Sequence, residues 1–349
     1  MLIKLLDNVQ KYLIFWILGA IVAGLSFMKL TGGYAFSSVI CFVAALIMIY
    51  PSLVPLAFGK FKEVPKNYKI IVLSLIFNFI ISPLLATAIG YLFLRSYPIL
   101  WLGLLLISIL PGGGMATSWA LRSKAEMTTT VGIILVNLLA MIFIVPSFLS
   151  FVMNRLEGSV QPAGGMCVLS EVTGGAASCF LGNAGQISPS KIIFPIFFII
   201  VIPMLLAYFT QTEIKKKKGA EYFDRIKSNF GKFSNLGLVV VLFMLMGIKN
   251  NIVIFKDPSL ILAALLPLIL FYFIYLAIIL FVYFVFYKNE KGKAGVWGTY
   301  LRYITLALGL AISLIYQNGL LMVMVVIISL AYFIQIPSSF LLSRLLINN

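Results

Sequence analysis

Long apolar stretches recur along this chain at a length that crosses a lipid bilayer. The sequence has 349 residues, of which 62% are hydrophobic and only 10% are charged. A helix of about 20 apolar residues spans the hydrocarbon core of a membrane. Such stretches lie near residues 12–28, 35–58, 70–94, 98–121, 127–153, 191–210, 233–255, 259–287, 295–316 and 319–342. The sequence therefore predicts an all-α membrane protein with about ten transmembrane helices.

The basic residues lie mainly between the apolar stretches, on alternate loops. They account for a net charge of +16 and are concentrated at residues 60–69, 215–232 and 288–293. Lys4, Lys11 and Arg344 lie near the termini. The positive-inside rule places these segments in the cytoplasm. The sequence thus predicts a multi-pass protein of the plasma (inner) membrane with both termini cytoplasmic. This orientation accounts for the basic charge. The lipid bilayer is therefore an expected partner, and a nucleic acid is not.

The longest connection between apolar stretches divides the chain into two sets of about five helices. It covers residues 155–190, is rich in glycine and contains Glu171, so we expect an external connector. The first set then occupies residues 1–154 and the second occupies residues 191–349. Because five is odd, two homologous halves must insert in opposite orientations, as the inverted repeats of many secondary transporters do. Cys167 and Cys179 lie in the connector, and the sequence leaves open whether they form a disulfide.

The fourth apolar stretch contains Pro111-Gly112-Gly113-Gly114 near its middle. Proline removes a backbone donor, and glycine tolerates non-helical angles. Unpaired backbone in hydrocarbon is costly unless protein, water or a solute satisfies it. A packing kink at small residues is one interpretation. A second interpretation is a broken helix that binds a solute. Four consecutive residues of this kind favour the broken helix over the kink.

The ninth apolar stretch is the counterpart of the fourth in an inverted repeat, and it carries Arg302 and Thr305. At about 1.5 Å per residue, Gly112 and Thr305 both fall close to the middle of the membrane. Arg302 either extends to the cytoplasmic interface or faces a cavity and attracts an anion. We predict that residues 111–114, Arg302 and Thr305 bind a small anionic solute.

Hydroxyl and amide side chains near the first break are candidate ligands for an ion. Hydroxyls, amides and unwound carbonyls coordinate sodium without a fixed negative charge. The candidates are Thr117, Ser118, Thr130 and Asn137. Each has a structural alternative, because serine and threonine bond back to their own helix and asparagine joins neighbouring helices. Sodium as a coupling ion is therefore a hypothesis, and no other cofactor is predicted.

The chain contains no histidine, and its ten acidic residues lie in loops or at the termini. The predicted membrane interior therefore has no carboxylate. This composition argues against a zinc protease, a magnesium-dependent prenyl transferase, paired-carboxylate catalysis and any metal site. It also argues against a proton relay. We predict that the protein is not an enzyme. A secondary transporter is favoured, and a non-transporting assembly or regulatory subunit is the alternative.

Three segments resemble the arsenite permeases of the bile acid/sodium symporter superfamily. They are the apolar run that ends at Tyr50-Pro51, the Asn78-containing stretch with Pro83 five positions later, and residues 306–312 after Arg302. The resemblance runs from the second apolar stretch to the tenth. It implies ten helices in two inverted halves, with broken helices four and nine crossing at the substrate site. It also adds Asn78 to the candidate substrate-binding residues.

The chain departs from the arsenite permeases at two positions. Their fourth helix carries a cysteine linked to the metalloid, whereas residues 110–115 here contain none. Their ninth helix carries a glutamate where this chain has Thr305. The Pro-Gly-Gly sequence instead resembles the bile acid symporter branch, whose following polar pair serves sodium and is matched by Thr117 and Ser118. The resemblance implies alternating-access transport of a small anion or oxyanion. It leaves arsenite-type efflux and organic-anion/sodium symport both open.

Overall fold

We describe the protein from a computed structural model. The structure describes residues 2–32, 38–56, 67–159, 189–247, 259–315 and 322–348. Every regular element within these residues is a helix. Most of the predicted 155–190 connector, including Cys167 and Cys179, lies outside the described residues. The helix before the connector continues to Ser159, past the predicted boundary at 154.

The helices follow the predicted apolar stretches in order. They are α1 (Leu2–Lys11), α2 (Leu13–Thr31), α3 (Ser38–Leu53), α4 (Tyr68–Ile76), a π-helical turn (Phe77–Ile81), α5 (Ser82–Phe93), α6 (Pro98–Ile109), α7 (Gly114–Arg122), α8 (Met127–Ser159), α9 (Pro189–Lys218), α10 (Ala220–Met246), α11 (Ser259–Phe286), α12 (Glu290–Tyr300), α13 (Ile304–Ile315) and α14 (Met322–Asn348). Each predicted stretch overlaps at least one of these helices, and α1 precedes the first stretch.

Several of the helices are long and apolar enough to cross a membrane. In the described part of the chain, six segments meet this requirement by length and composition: Leu13–Thr31, Tyr68–Phe93, Met127–Val152, Ala220–Met246, Ser259–Phe286 and Met324–Ile347. Helices α6 and α7 count as a seventh span if the pair, which is bent by 57°, is one broken helix. The prediction of an all-helical, multi-pass membrane protein is confirmed at this level.

The outer surface of the bundle is apolar, as lipid requires. Phe143 is 76% exposed, and Leu92 and Phe273 are each 73% exposed. Large apolar side chains that are this exposed are unfavourable in water but match the hydrocarbon of a bilayer. Polar side chains such as Asn78 and Asn137 are fully buried instead. The bundle is therefore apolar at its outer surface and encloses polar side chains within a largely apolar interior.

Small residues bring the helices of this bundle close together. Helix α10 packs along α2 and α3, and α14 packs against α6, α11 and α13. A Cβ atom on Gly24 of α2 would lie 2.6 Å from the Phe243 carbonyl of α10. Close approach at small residues is the usual mode of helix association in membranes, where apolar burial adds little.

Trp297 joins α12 to α7, and its replacement by alanine is expected to destabilise the fold. The side chain is fully buried, stacks on Trp119 at a centroid distance of 5.7 Å, and donates a hydrogen bond of 2.6 Å to Ser123 Oγ. Trp297→Ala should lower the free energy of unfolding by about 3–5 kcal/mol because it leaves a large cavity. Unfolding of the purified protein in detergent measures this loss. Trp16→Ala, at a side chain that is 37% exposed, is the matched control and should have a small effect. Equal stability of the two variants would contradict the prediction.

Candidate functional site

The predicted interruption of the fourth apolar stretch is present. Helix α6 ends at Ile109, and the backbone is extended at Leu110 and Gly113 before α7 begins. In an unbroken helix, the Ser108 carbonyl would accept from the Gly112 N–H. Here it accepts a hydrogen bond of 2.8 Å from Ser82 Oγ instead. A side chain of the neighbouring α5 thus replaces a backbone donor that the break removed.

A second interruption separates α12 from α13 at residues 301–303. The side-chain amide of Gln335, on α14, takes the place of backbone partners here. Its Oε1 accepts from the Arg302 N–H at 2.9 Å, and its Nε2 donates to the Arg302 carbonyl at 3.2 Å. The last carbonyls of α12 are satisfied in the same way, because Gly298 accepts from Asn78 Nδ2 and Thr299 accepts from Tyr275 OH, each at 3.3 Å.

The two interruptions lie directly against each other. A Cβ atom on Gly112 would lie 3.1 Å from the Leu301 carbonyl, and one on Gly113 would lie 2.7 Å from the ring of Tyr303. The Tyr303 hydroxyl also forms a hydrogen bond with the Ser52 hydroxyl of α3. The crossing is therefore possible because the first break carries no side chains where the second break passes.

Asn78 lies on the π-helical turn that precedes Pro83. Proline has no N–H, and its ring conflicts with the carbonyl four residues earlier. The helix forms a wider, π-helical turn at this point, in which the Ser82 N–H donates to the Phe77 carbonyl five residues back. Turns of this kind are frequent at functional sites. The Asn78 side chain is fully buried in the bundle.

The side chain of Asn78 connects three helices through hydrogen bonds. Its Oδ1 accepts from Arg302 Nη1 at 2.9 Å, and its Nδ2 donates to Asn137 Oδ1 of α8 at 3.1 Å. Asn137 Nδ2 in turn donates to Ser74 Oγ of α4 at 2.9 Å. This chain of amides and hydroxyls forms a continuous polar network, which we call the Asn78 network, inside an otherwise apolar bundle.

Arg302 is a buried cation with no ion-pair partner among the described residues. The residue is only 3% exposed, and its guanidinium lies over the ring of Tyr275 at 4.4 Å. The ion pairs found in the described residues join lysines to Glu213, Asp224 and Asp7, and none of them includes Arg302. Its Nε and Nη2 atoms make no hydrogen bond in this part of the chain. This burial favours the interpretation in which Arg302 faces the interior of the bundle over the one in which it extends to the cytoplasmic interface.

The remaining predicted residues are arranged differently. Thr117 Oγ1 donates to the Gly114 carbonyl at 2.6 Å, and Thr130 Oγ1 donates to the Glu126 carbonyl at 3.0 Å. Both hydroxyls thus bond back to their own helices. Ser118 is exposed on α7. Thr305 is 7% exposed, and its Oγ1 makes no well-formed hydrogen bond with the described residues.

The structure brings some of the predicted substrate-binding residues together and separates others. Asn78, Asn137 and Arg302 belong to one network. Gly112 and Gly113 face Leu301 and Tyr303, and Gly114 faces the Ser52 carbonyl, so none of them faces the Arg302 side chain. The two groups meet at the Gly298 carbonyl, which accepts from Asn78 and lies 3.6 Å from a Cβ atom placed on Gly112.

Sequence reasoning missed two residues that shape this site. Tyr275 supplies the aromatic face under Arg302, and Gln335 holds the backbone of the second break. Gln335 had a usable signal, because an amide inside an apolar stretch is costly in hydrocarbon and marks a contact or a site. Tyr275 had no such signal, since tyrosine is common among the apolar stretches of this chain.

Two interrupted helices that meet inside an apolar helical bundle, beside a buried charge, are typical of membrane transporters. The sequence model of the Sodium Bile acid symporter family matches residues 42–256. The match covers more than half of the chain, and the protein belongs to this family of secondary transporters.

Curated relatives agree with this assignment. The chain is 22% identical to the Arsenical-resistance protein Acr3 of Corynebacterium glutamicum over 276 residues, which are 75% of this chain and 69% of the relative. It is also 22% identical to the Acr3 protein of Alkaliphilus metalliredigens over 333 residues, which are 89% of this chain and 85% of the relative. An uncharacterized transporter of Synechocystis sp. is 26% identical over 167 residues, or 40% of this chain and 44% of the relative. The resemblance inferred from sequence motifs is confirmed.

Proposed function

We propose that this protein carries a small anion or oxyanion across the plasma membrane by alternating access around the two crossed breaks. The observation that carries the proposal is the cation of Arg302, which is buried in the bundle and has no ion-pair partner among the described residues. A buried charge that has no partner is costly and marks a pathway for an ion or a substrate. An anionic solute would supply the missing negative charge each time it occupies the site.

The first break adds a second source of positive potential. Helix α7 begins at Gly114, so its first N–H groups and the positive end of its dipole face the crossing point. Anions bind readily at such helix starts. In the proposed cycle, the anion interacts with Arg302 while the two breaks allow the helix halves on either side to change their angle.

The finer architecture is part of this proposal. We propose about ten membrane crossings in two inverted sets, residues 1–154 and 191–349, with both termini in the cytoplasm. In this arrangement α6 with α7 forms the fourth crossing, and α12 with α13 forms the ninth. The contact between the two breaks supports the pairing, because inverted repeats place their interrupted helices at a common midplane site.

The driving force is sodium or the membrane potential. Thr117, Ser118, Thr130 and Asn137 are the proposed oxygen donors for sodium. The potential alone contributes about 2.3 kcal/mol per charge per 100 mV. Flux into proteoliposomes with and without a sodium gradient, at a clamped potential, separates these two sources.

Arsenite-type efflux and organic-anion symport are the candidate activities. The names of the Acr3 relatives favour the first, and the cation of Arg302 favours a charged solute.

Cysteine scanning of residues 112–118 tests the site and separates transport from the non-transporting alternative. In a background with Cys41, Cys167 and Cys179 replaced by serine, Met115→Cys should react with a membrane-impermeant thiol reagent from one side. Added substrate or sodium should slow this reaction. Leu92→Cys, which is 73% exposed on the lipid-facing surface, is the control and should stay unreactive. Failure of all seven positions to react from either side, together with no solute flux, would exclude the proposed transport pathway.

A further inference from the structure

We infer that the solute carries a net negative charge and two oxygens on one atom, and that these oxygens dock on the Nε–Nη2 edge of Arg302. The inference rests on the proposed transport function and specifies its substrate class. Carboxylates and tetrahedral oxyanions such as phosphate share this chemistry. An uncharged hydroxide such as arsenous acid and a single-atom anion such as chloride lack it.

The free edge of the guanidinium defines the shape of the ligand. A guanidinium is planar and offers its N–H donors in a fixed fork. Nη1 is occupied by Asn78 Oδ1 at 2.9 Å, whereas Nε and Nη2 make no hydrogen bond with the described residues. Nε–H and one Nη2–H point in the same direction along one edge. This pair forms two parallel hydrogen bonds with the two oxygens of a carboxylate or an oxyanion.

The surroundings hold this edge in one orientation. The ring of Tyr275 supports one face of the guanidinium at 4.4 Å. Asn78, which fixes Nη1, is itself held by Asn137 at 3.1 Å and by the Gly298 carbonyl at 3.3 Å. Gln335 binds both the N–H and the carbonyl of Arg302. A donor pair that is positioned before the ligand arrives lowers the entropic cost of binding.

The charge of the ligand follows from the missing counter-charge. None of the ion pairs in the described residues includes Arg302. A neutral solute leaves this buried cation uncompensated, and the cation then opposes movement through an apolar bundle. A single-atom anion compensates the charge but has one acceptor atom, so it cannot form two parallel hydrogen bonds with the two donors. A ligand with two oxygens and a negative charge satisfies both requirements.

A ligand panel tests the inference on the purified wild-type protein. Thermal unfolding in detergent is followed with benzoate, phosphate, arsenate, chloride and arsenous acid at neutral pH. We expect benzoate, or the tetrahedral oxyanions, or both, to raise the unfolding temperature in a saturable way, and the responding group identifies the source of the two-oxygen anion. Chloride and arsenous acid should have no specific effect. An equal response to chloride or arsenous acid, or no response to any anion, overturns the inference.

Arg302→Lys keeps the charge and removes the fork. It should weaken binding of the responding anion at least about tenfold, because an ammonium group does not reproduce the bidentate geometry. Arg95→Lys is the matched control, since Arg95 also lies over a tyrosine ring, at 5.5 Å, but on the exposed surface. Unchanged affinity in Arg302→Lys contradicts the inference.

Asn78→Asp gives a second test that keeps the arginine. The new carboxylate would lie where Asn78 Oδ1 now contacts Nη1, and it would compensate the cation internally. Anion-dependent stabilisation should then be lost, whether or not Arg302→Lys folds. Retained anion binding in Asn78→Asp contradicts the inference.

Measurements of solute flux separate a failure of the docking geometry from a failure of the proposed transport function. Transport that is insensitive to these variants overturns only the docking geometry, whereas an absence of any flux and of any thiol access overturns the transport function itself.

Discussion

Gly113→Leu is expected to abolish transport while the protein still inserts and folds. Even a Cβ atom at this position would lie 2.7 Å from the ring of Tyr303, and leucine adds three more carbon atoms beyond it. The ring cannot move freely, because its hydroxyl is bonded to Ser52 of α3. The second break must therefore shift. A misplacement of about 1 Å costs enzymes about 100-fold in rate, and we expect solute flux to fall at least as far.

Flux into proteoliposomes, normalised to the amount of inserted protein, measures this effect. Gly19→Leu is the matched control, because a Cβ atom at Gly19 would meet no atom of the described residues within 4 Å apart from its own helix backbone. Gly113→Ala should fall between the wild type and Gly113→Leu. The backbone at Gly113 is extended and accessible to any residue, so a loss of function reports the contact between the breaks rather than backbone strain. Wild-type flux in Gly113→Leu would remove this contact from the proposed cycle.

Asn78→Leu is expected to be the most destabilising substitution in the Asn78 network. The asparagine accepts from Arg302 and donates to both Asn137 and the Gly298 carbonyl. Leucine leaves all three groups without this partner, including one nitrogen of a buried cation. Removing a partner from a buried charge or polar group is strongly unfavourable, and we expect the free energy of unfolding to fall by about 3–5 kcal/mol.

Denaturant or thermal unfolding in detergent measures the change. Asn8→Leu serves as the control, since Asn8 is exposed on α1 and makes a single side-chain bond to Trp16 at 3.1 Å. The comparison with Asn78→Asp is informative, because aspartate keeps a partner for Arg302 whereas leucine does not. If Asn78→Leu is as stable as Asn8→Leu, Arg302 must find another partner and the cation is not unpaired in the membrane.

The first break was predictable because its cause is local. Pro111 and the three glycines after it act on their own backbone, whatever surrounds them. The second break, at Leu301, Arg302 and Tyr303, contains neither proline nor glycine. It was predicted only through the pairing of the fourth and ninth stretches and the family resemblance. Its backbone is held by Gln335, 33 residues further along the chain, and no local rule reports such a partner.

The predicted ion-binding residues are a case in which the sequence does not determine where the side chains point. The sequence predicts Thr117, Ser118, Thr130 and Asn137 as ion ligands because they could supply oxygens around the first break. Thr117, Thr130 and Asn137 each donate to a carbonyl of their own helix, and Ser118 is exposed. Of these residues, only Asn137 also enters the Asn78 network. Side-chain direction depends on rotamers and on neighbouring helices, so the sequence alone does not distinguish these outcomes.

The sequence by itself determined that this chain is a helical membrane protein and that its fourth apolar stretch is interrupted. Hydropathy and backbone preference are properties of single residues and short segments, so they can be predicted without knowledge of the tertiary structure. Only the tertiary structure decided that Arg302 is buried, that Asn78 occupies one of its nitrogens, and that its Nε and Nη2 atoms make no hydrogen bond with the described residues. These facts depend on residues from α4 and its π turn, α8, α11 and α14. Folding alone brings these segments together, because packing and hydrogen bonding act between segments that are distant in the chain.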